Sequence, residues 1–165
     1  MAISMTLDKS QIYPALPTMA EKSAEVCKKI DLITAVKILS GFDYEVKGTT
    51  YHFSTNSTDQ DNITQGISSA MFAKSIGDTS FTIEWIGHTG EYGNTVLTFT
   101  ADEFLQFALA FGAFKQHCLS DGWSLKAQAR ACEDDLALRA FTEENDIERL
   151  AGRAKIAKEK LVKED

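Results

Sequence analysis

Between Phe99 and Leu119 four phenylalanines, Phe104, Phe107, Phe111 and Phe114, recur at helical spacing, with Leu105, Ala108 and Leu109 on the flanks. A helix apolar along one stripe lies on a surface, whereas aromatics on one side and leucines on the adjoining side predict packing between two layers. The four rings are therefore expected to be buried between a sheet and flanking helices. Thr100-Ala101-Asp102-Glu103 gives this helix a start, because a threonine with a glutamate three residues on has capping-box spacing.

The chain before it divides into alternating periods. Met1 to Pro17 holds both prolines and no sustained period, which predicts an extended arm, with Pro17 suited to a first helical turn. From Thr18 to Leu39 the positions Met19, Val26, Ile30, Ile33 and Val36 keep helical spacing, and Ser40-Gly41 supplies a stop. Phe42, Tyr44 and Val46 alternate, Lys47-Gly48 turns, and Tyr51 and Phe53 alternate again, which reads as a β-hairpin. Ser57 to Gln60 has capping-box spacing and precedes Ile63, Ile67, Ala70 and Met71 in a helix expected to end at Gly77. Phe81, Ile83 and Trp85 then alternate, Gly87 to Asn94 reads as a glycine-rich loop, and Val96, Leu97 and Phe99 complete a second hairpin.

Past the phenylalanine helix, Asp121-Gly122 is expected to break the chain. A helix from Ser124 to about Ala140 follows, presenting Leu125, Ala129, Cys132, Leu136 and Phe141. Thr142 is expected to cap a last helix, Glu143 to Glu164, with a narrow seam of Ile147, Leu150, Ala154, Ala157 and Leu161. The fold class is α+β: an antiparallel four-stranded sheet from two β-hairpins with helices packed on it (ββα-ββα), flanked by N- and C-terminal helices. The expected divisions are an N-terminal arm and helix over 1–41, a central α+β domain over 42–141 and a C-terminal helix over 142–165.

At 165 residues, 44% hydrophobic and 25% charged, the chain has the bulk of one globular domain with a real core. No stretch approaches the ~20 apolar residues of a membrane helix, and the N-terminus lacks the regions of a signal peptide, which predicts cytosolic synthesis. The net charge of -7 falls between Gly41 and Gly122, where 3 Lys/Arg face 10 Asp/Glu. Such a domain lacks the cations that neutralise phosphates, so direct nucleic-acid binding is not expected. Cys27, Cys118 and Cys132 are odd in number and widely spaced, and read as reduced thiols.

Catalysis needs groups that converge, and the three histidines fall in separate contexts: His52 in a strand, His88 in the glycine-rich loop, His117 late in the long helix. No metal-ligand spacing joins them to carboxylates or thiols, so neither a metal nor a cofactor is expected. Gly87 to Gly93 lies within a hairpin and opens no helix, so it lacks the geometry of a phosphate cradle. Its tip, with His88 and Tyr92, suits recognition instead. Glu133-Asp134-Asp135 reads as a solvated face, and Glu143-Glu144 as acids in a first helical turn. Trp85 and Trp123 read as core and hinge anchors. The last helix, too narrow and alanine-rich in its seam to stand alone, calls for burial against something. Ile147, Leu150 and Leu161 are thus the other candidate partner-binding residues. The expected outcomes are a homo-oligomer through a self-associating seam, docking on a partner protein, or a monomer in which the terminal helices pack on one another or back on the domain.

The series Tyr44-x-Val46-x-Gly48-x-x-Tyr51, Gln60-x-x-Ile63, Trp85 and Phe99-Thr100-Ala101-Asp102-Glu103-Phe104, followed by a long helix, resembles an uncharacterised family of short tailed-bacteriophage tail-fibre and tail-fibre-assembly proteins. The likeness spans about Phe42 to Phe141. Its residues are hairpin aromatics, a turn glycine and helix caps, so it brings no catalytic role to any position. It implies a non-enzymatic tail-associated structural or adaptor protein that binds another tail or tail-fibre component. The expected location is the virion tail, or the host cytoplasm during assembly. The alternatives are a cytosolic assembly chaperone and, from the acidic domain, a small inhibitor of a host defence or nucleic-acid enzyme.

Overall fold

The computed structural model describes residues 16–90 and 93–164, and side chains up to residue 160. Apart from Leu16 and Pro17, the expected N-terminal arm lies outside the described residues. Pro17 precedes the first helix instead of entering it. Helix α1 (Met19–Leu39) is capped by Thr18 in a reciprocal capping box with Glu21. Gly41, at φ 100°, then turns the chain sharply. A side chain there would collide with the Phe53 carbonyl, 2.2 Å from an added Cβ.

Strands β1 (Phe42–Val46), β2 (Thr49–Phe53), β3 (Thr82–Thr89) and β4 (Gly93–Thr100) form one antiparallel sheet in the order β1-β2-β3-β4. The two hairpins join with His52 opposite His88. Helix α2 (Ser57–Ser75) links them, and its cap is Asn56, not Ser57: the Asn56 side chain accepts the Asp59 N–H at 2.8 Å. Gln60 instead donates to the Thr55 carbonyl at 2.9 Å. The expected loop from Gly87 to Asn94 is mostly strand, with β3 running through Thr89 and β4 starting at Gly93. Gly87 is a strand glycine because Leu97 and Tyr51 press on it, at 2.9 and 3.0 Å from where a Cβ would stand.

Helix α3 (Ala101–Ala131) is a single helix of 31 residues, about 46 Å long. The expected break at Asp121-Gly122 does not occur. Gly122 is buried where α3 crosses α1, and an added Cβ would lie 2.5 Å from Thr34 Oγ1. The absent side chain thus serves close helix packing. The chain breaks ten residues later, at Cys132, Glu133 and Asp134. Asp134 caps helix α4 (Asp135–Glu144) by accepting the Ala137 N–H at 2.8 Å, so this acidic run is a helix start as well as a solvated face. Thr142 lies inside α4, its hydroxyl donating to the Arg139 carbonyl, and Glu143 and Glu144 form a last turn instead of a first. Helix α5 (Ile147–Glu164) starts after Asp146, at φ 52°.

One helix therefore carries two cores. Its N-terminal half presents Phe104, Phe107 and Phe111 to the sheet residues Phe42, Phe53 and Phe99, with Ile63 from α2 beside them. Phe53, Phe99, Phe104 and Phe107 are at most 2% exposed. Phe114 is half-buried and stacks on Phe42 at 5.5 Å. The leucine flank departs from expectation, since Leu109 is 67% exposed. The C-terminal half of α3 packs with α1, α4 and α5 around Val26, Cys27, Ile30, Ala129, Leu138, Phe141 and Ile147. Helix α1 runs antiparallel to α3, as the Cys27–Lys126, Thr34–Gly122 and Lys37–Asp121 contacts show. Leu136, expected on the apolar face of its helix, is exposed, as are Met71 and Trp123.

Candidate interaction surface

The inner face of the sheet is consumed by the aromatic core, so strand alternation sends the other half of its side chains to the opposite face, which no helix covers among the described residues. Asp43, His52, His88 and Asn94, each opposite the next across the four strands, form a polar row there. His52 places Nδ1 2.8 Å from Asp43 Oδ1 and Nε2 2.8 Å from the Ser40 carbonyl. His88 places Nδ1 2.7 Å from Asn94 Oδ1. Each pair is held by its own hydrogen bond, so the row ties β1 to β2 and β3 to β4 within their hairpins.

Next to this row an apolar pair stands in water. Ile86 and Val96 are directly opposite each other on β3 and β4, 50% and 63% exposed. Beside them, where β2 and β3 diverge, lies a cleft of about 670 Å³ whose wall includes Asn56, Asp59, Asn62, Glu84, His88 and Asn94. Asp59 Oδ2 is buried with no hydrogen-bond partner among the described residues. An apolar centre with a rim of amide, carboxylate and imidazole groups has the anatomy of a protein-binding patch.

A second concavity, about 480 Å³, opens between α1, α3 and α5, with Ile33, Val36, Leu125, Leu150 and Ala157 in its lining and Cys118 among them. Burial pushes the Cys118 thiol above its ordinary value, leaving it a protonated core thiol. The carboxyls that are shifted have local causes. Glu21 and Glu103 are held below the usual glutamate range by the backbone N–H and then the hydroxyl of their caps, Thr18 and Thr100. Asp78 is lowered by the Ser80 hydroxyl and backbone N–H. These are shifts of helix and turn construction. Among the described residues no group of three or more His, Cys, Asp or Glu side chains is placed to hold a metal ion.

The sequence-derived candidates are dispersed. His88 sits on β3 in the polar row, Tyr92 lies outside the described residues, and Leu150 lines the helical cleft. Ile147 is 1% exposed inside the helical core, so its surface is spent within the molecule. Leu161 falls in α5, and its side chain lies outside those described. The seam of α5 is thus partly buried by folding back: Ile147 and Ala154 are covered, as is Ala151 outside the seam, and Lys29 pairs with Glu148 at 2.6 Å. Ile86 and Val96 were missed, although their positions one residue out of phase with Trp85 and Leu97 place them on the other face.

A family model described as a domain of unknown function (DUF4376) matches residues 21–149. The chain belongs to this family. The DUF4376 span starts within α1 and ends within α5, so it encloses both cores and the outer sheet face together. No curated protein and no solved structure matches the chain.

Proposed function

We propose that this chain is a non-catalytic adaptor associated with the tail of a tailed bacteriophage, binding another tail or tail-fibre component through the outer face of its sheet. The observation that carries the reading is the Ile86 and Val96 pair, exposed on the outer sheet face beside a cleft walled by hydrogen-bonding side chains. Large apolar side chains adjacent in water and rimmed by polar groups are a recognised feature of protein-binding sites. The phage context comes from the resemblance carried by Tyr44, Val46, Gly48, Tyr51, Trp85 and Phe99 to Phe104.

Mass spectrometry of purified virions tests the reading. Recovery in stoichiometric amount, and its loss with Ile86→Glu while the variant still folds, is the expected result. Complete absence from finished particles removes the virion adaptor and leaves a helper that acts before the particle is complete.

A further inference from the structure

We propose that β4 pairs antiparallel with β4 of a second copy of this chain, joining two four-stranded sheets into one across a two-fold axis at Val96. This goes beyond the adaptor reading and does not depend on it. Strand β4 ends the sheet, so one side of its backbone has no strand partner among the described residues. Its sequence, Gly-Asn-Thr-Val-Leu-Thr-Phe-Thr, has neither charge nor proline. Such an edge lacks the devices that normally blunt unpaired strands. Its eight residues span about 26 Å.

The opposite edge shows the contrast. Strand β1 has five residues and carries Asp43 and Glu45 on its outer face. Two copies joined there would set four carboxylates on one small surface. The chain as a whole carries -7, so copies repel at long range, and a neutral edge is where they can approach. Self-pairing also suits the strand's pattern. With the axis at Val96, Val96 faces its own copy and Asn94 faces Thr98. Because Ile86 is opposite Val96 within each sheet, the outer face gains a continuous Ile86–Val96–Val96–Ile86 row across the junction. Cross-strand β-branched pairs of this kind are the unit of sheet stability. The contact is isologous, as a closed two-fold pair requires.

Sedimentation velocity of the full chain, from about 1 to about 200 μM, tests the pairing. The expected result is a monomer that becomes a dimer as concentration rises. Val96→Lys and Val96→Glu should each weaken it at least about tenfold, because each sets like charges directly opposite. Mixing the two variants should restore the dimer, which general damage to the fold would not do. Val96 is mostly exposed, so at concentrations where the parent is monomeric both variants should keep its thermal midpoint. Hydrogen exchange gives a readout without substitution: β4 amides should gain protection as the protein is concentrated. A chain that stays monomeric throughout overturns the proposal, as does a dimer that both variants leave intact, a mixture that fails to pair, or β4 exchange that ignores concentration. A dimer never recovered with tail components would sink the adaptor reading alone. A monomer recovered with them would sink this one alone.

Discussion

The two halves of α3 are one continuous helix, yet they are held in different ways. The sheet-side half buries rings against rings: Phe107 alone lies within 6 Å of Phe42, Tyr44, Phe53, Trp85, Phe99 and Phe104, at centroid separations of 4.8 to 5.9 Å. The other half meets α1, α4 and α5 through smaller side chains, with Phe141 as the aromatic of its cluster. Ion pairs cross that layer, Lys22 to Asp135 and Lys29 to Glu148 at 2.6 Å and Lys126 to Asp31 at 2.5 Å. Their acidic partners are at least 60% exposed, so each contributes little. Thr55, fully buried, donates its hydroxyl to the Ile38 carbonyl and ties the end of α1 to the link between β2 and α2. The difference teaches that the helical layer depends on the aromatic one for its frame, because the spine they share is anchored by the rings.

The largest effects should come from breaking each core at its centre. Phe107→Ala should cost about 3–5 kcal/mol in urea unfolding, the range for a phenylalanine lost from a packed interior. A loss near 0.5 kcal/mol, the scale of surface changes, would show that the rings do not form the anchor. Ile147→Ala should cost about 2–4 kcal/mol, and its hydrogen exchange should accelerate first in α1, α4 and α5 while the strands stay protected. Uniform acceleration over the whole chain would mean that the two cores open as one unit.

Two glycines of α3 sharpen the contrast. Gly122, on the helical side, sits against Thr34 with no room for a methyl group, so Gly122→Ala should destabilise by about 1–3 kcal/mol through overpacking. Gly112, ten residues earlier on the same helix, has nothing within 4 Å of an added Cβ. There the same substitution should stabilise by about 0.5–1 kcal/mol, the helix preference for alanine over glycine. Opposite signs for one chemical change would locate the tight crossing on α1. Equal signs would refute it.

Those glycines also show where reading the sequence succeeds and where it stops. Gly41 and Gly77 have positive φ and end helices, as a local reading expects. Gly122 looks the same along the chain, but its role is set by Thr34, far away in sequence. Likewise Gly66 is small because the Phe104 ring comes within 2.5 Å of where its Cβ would stand. The hairpins, the Thr100 cap and the phenylalanine stripe were legible because alternation, helical period and capping are short-range signals. Of the candidate surface, His88 was legible and the Ile86–Val96 pair was not, since alternation sets which face a residue takes but not whether a helix covers that face. The divergence of β2 from β3, which shapes the adjoining cleft, is a property of how two hairpins dock and has no local signature.

The smallest expected effect lies at the start of the shared spine. Glu103 accepts the Thr100 backbone N–H at 2.8 Å and the Thr100 hydroxyl at 3.0 Å, while its own N–H donates to that hydroxyl at 3.3 Å. These bonds hold its carboxyl below the usual glutamate range in the folded protein. Because the folded value is depressed, the carboxylate's contribution is fully present above the unfolded value, about pH 4.3, and is lost as pH falls through the folded one. Glu103→Gln keeps an acceptor oxygen at the cap and removes the charge that complements the first turn of α3. It should therefore cost about 0.5 kcal/mol at pH 7, a surface-scale sum of the helix-dipole and charged hydrogen-bond gains. Urea midpoints of parent and variant, measured from pH 7 down to pH 3, should converge once the parent carboxyl is protonated. A gap of constant size would assign the loss to cap geometry instead of charge. Glu21 makes the same bonds at the head of α1, the end that lies away from the Thr55 tie and packs in the helical layer. Glu21→Gln should then leave exchange in the strands unchanged, while Glu103→Gln, acting on the helix that both cores share, should alter it on both sides.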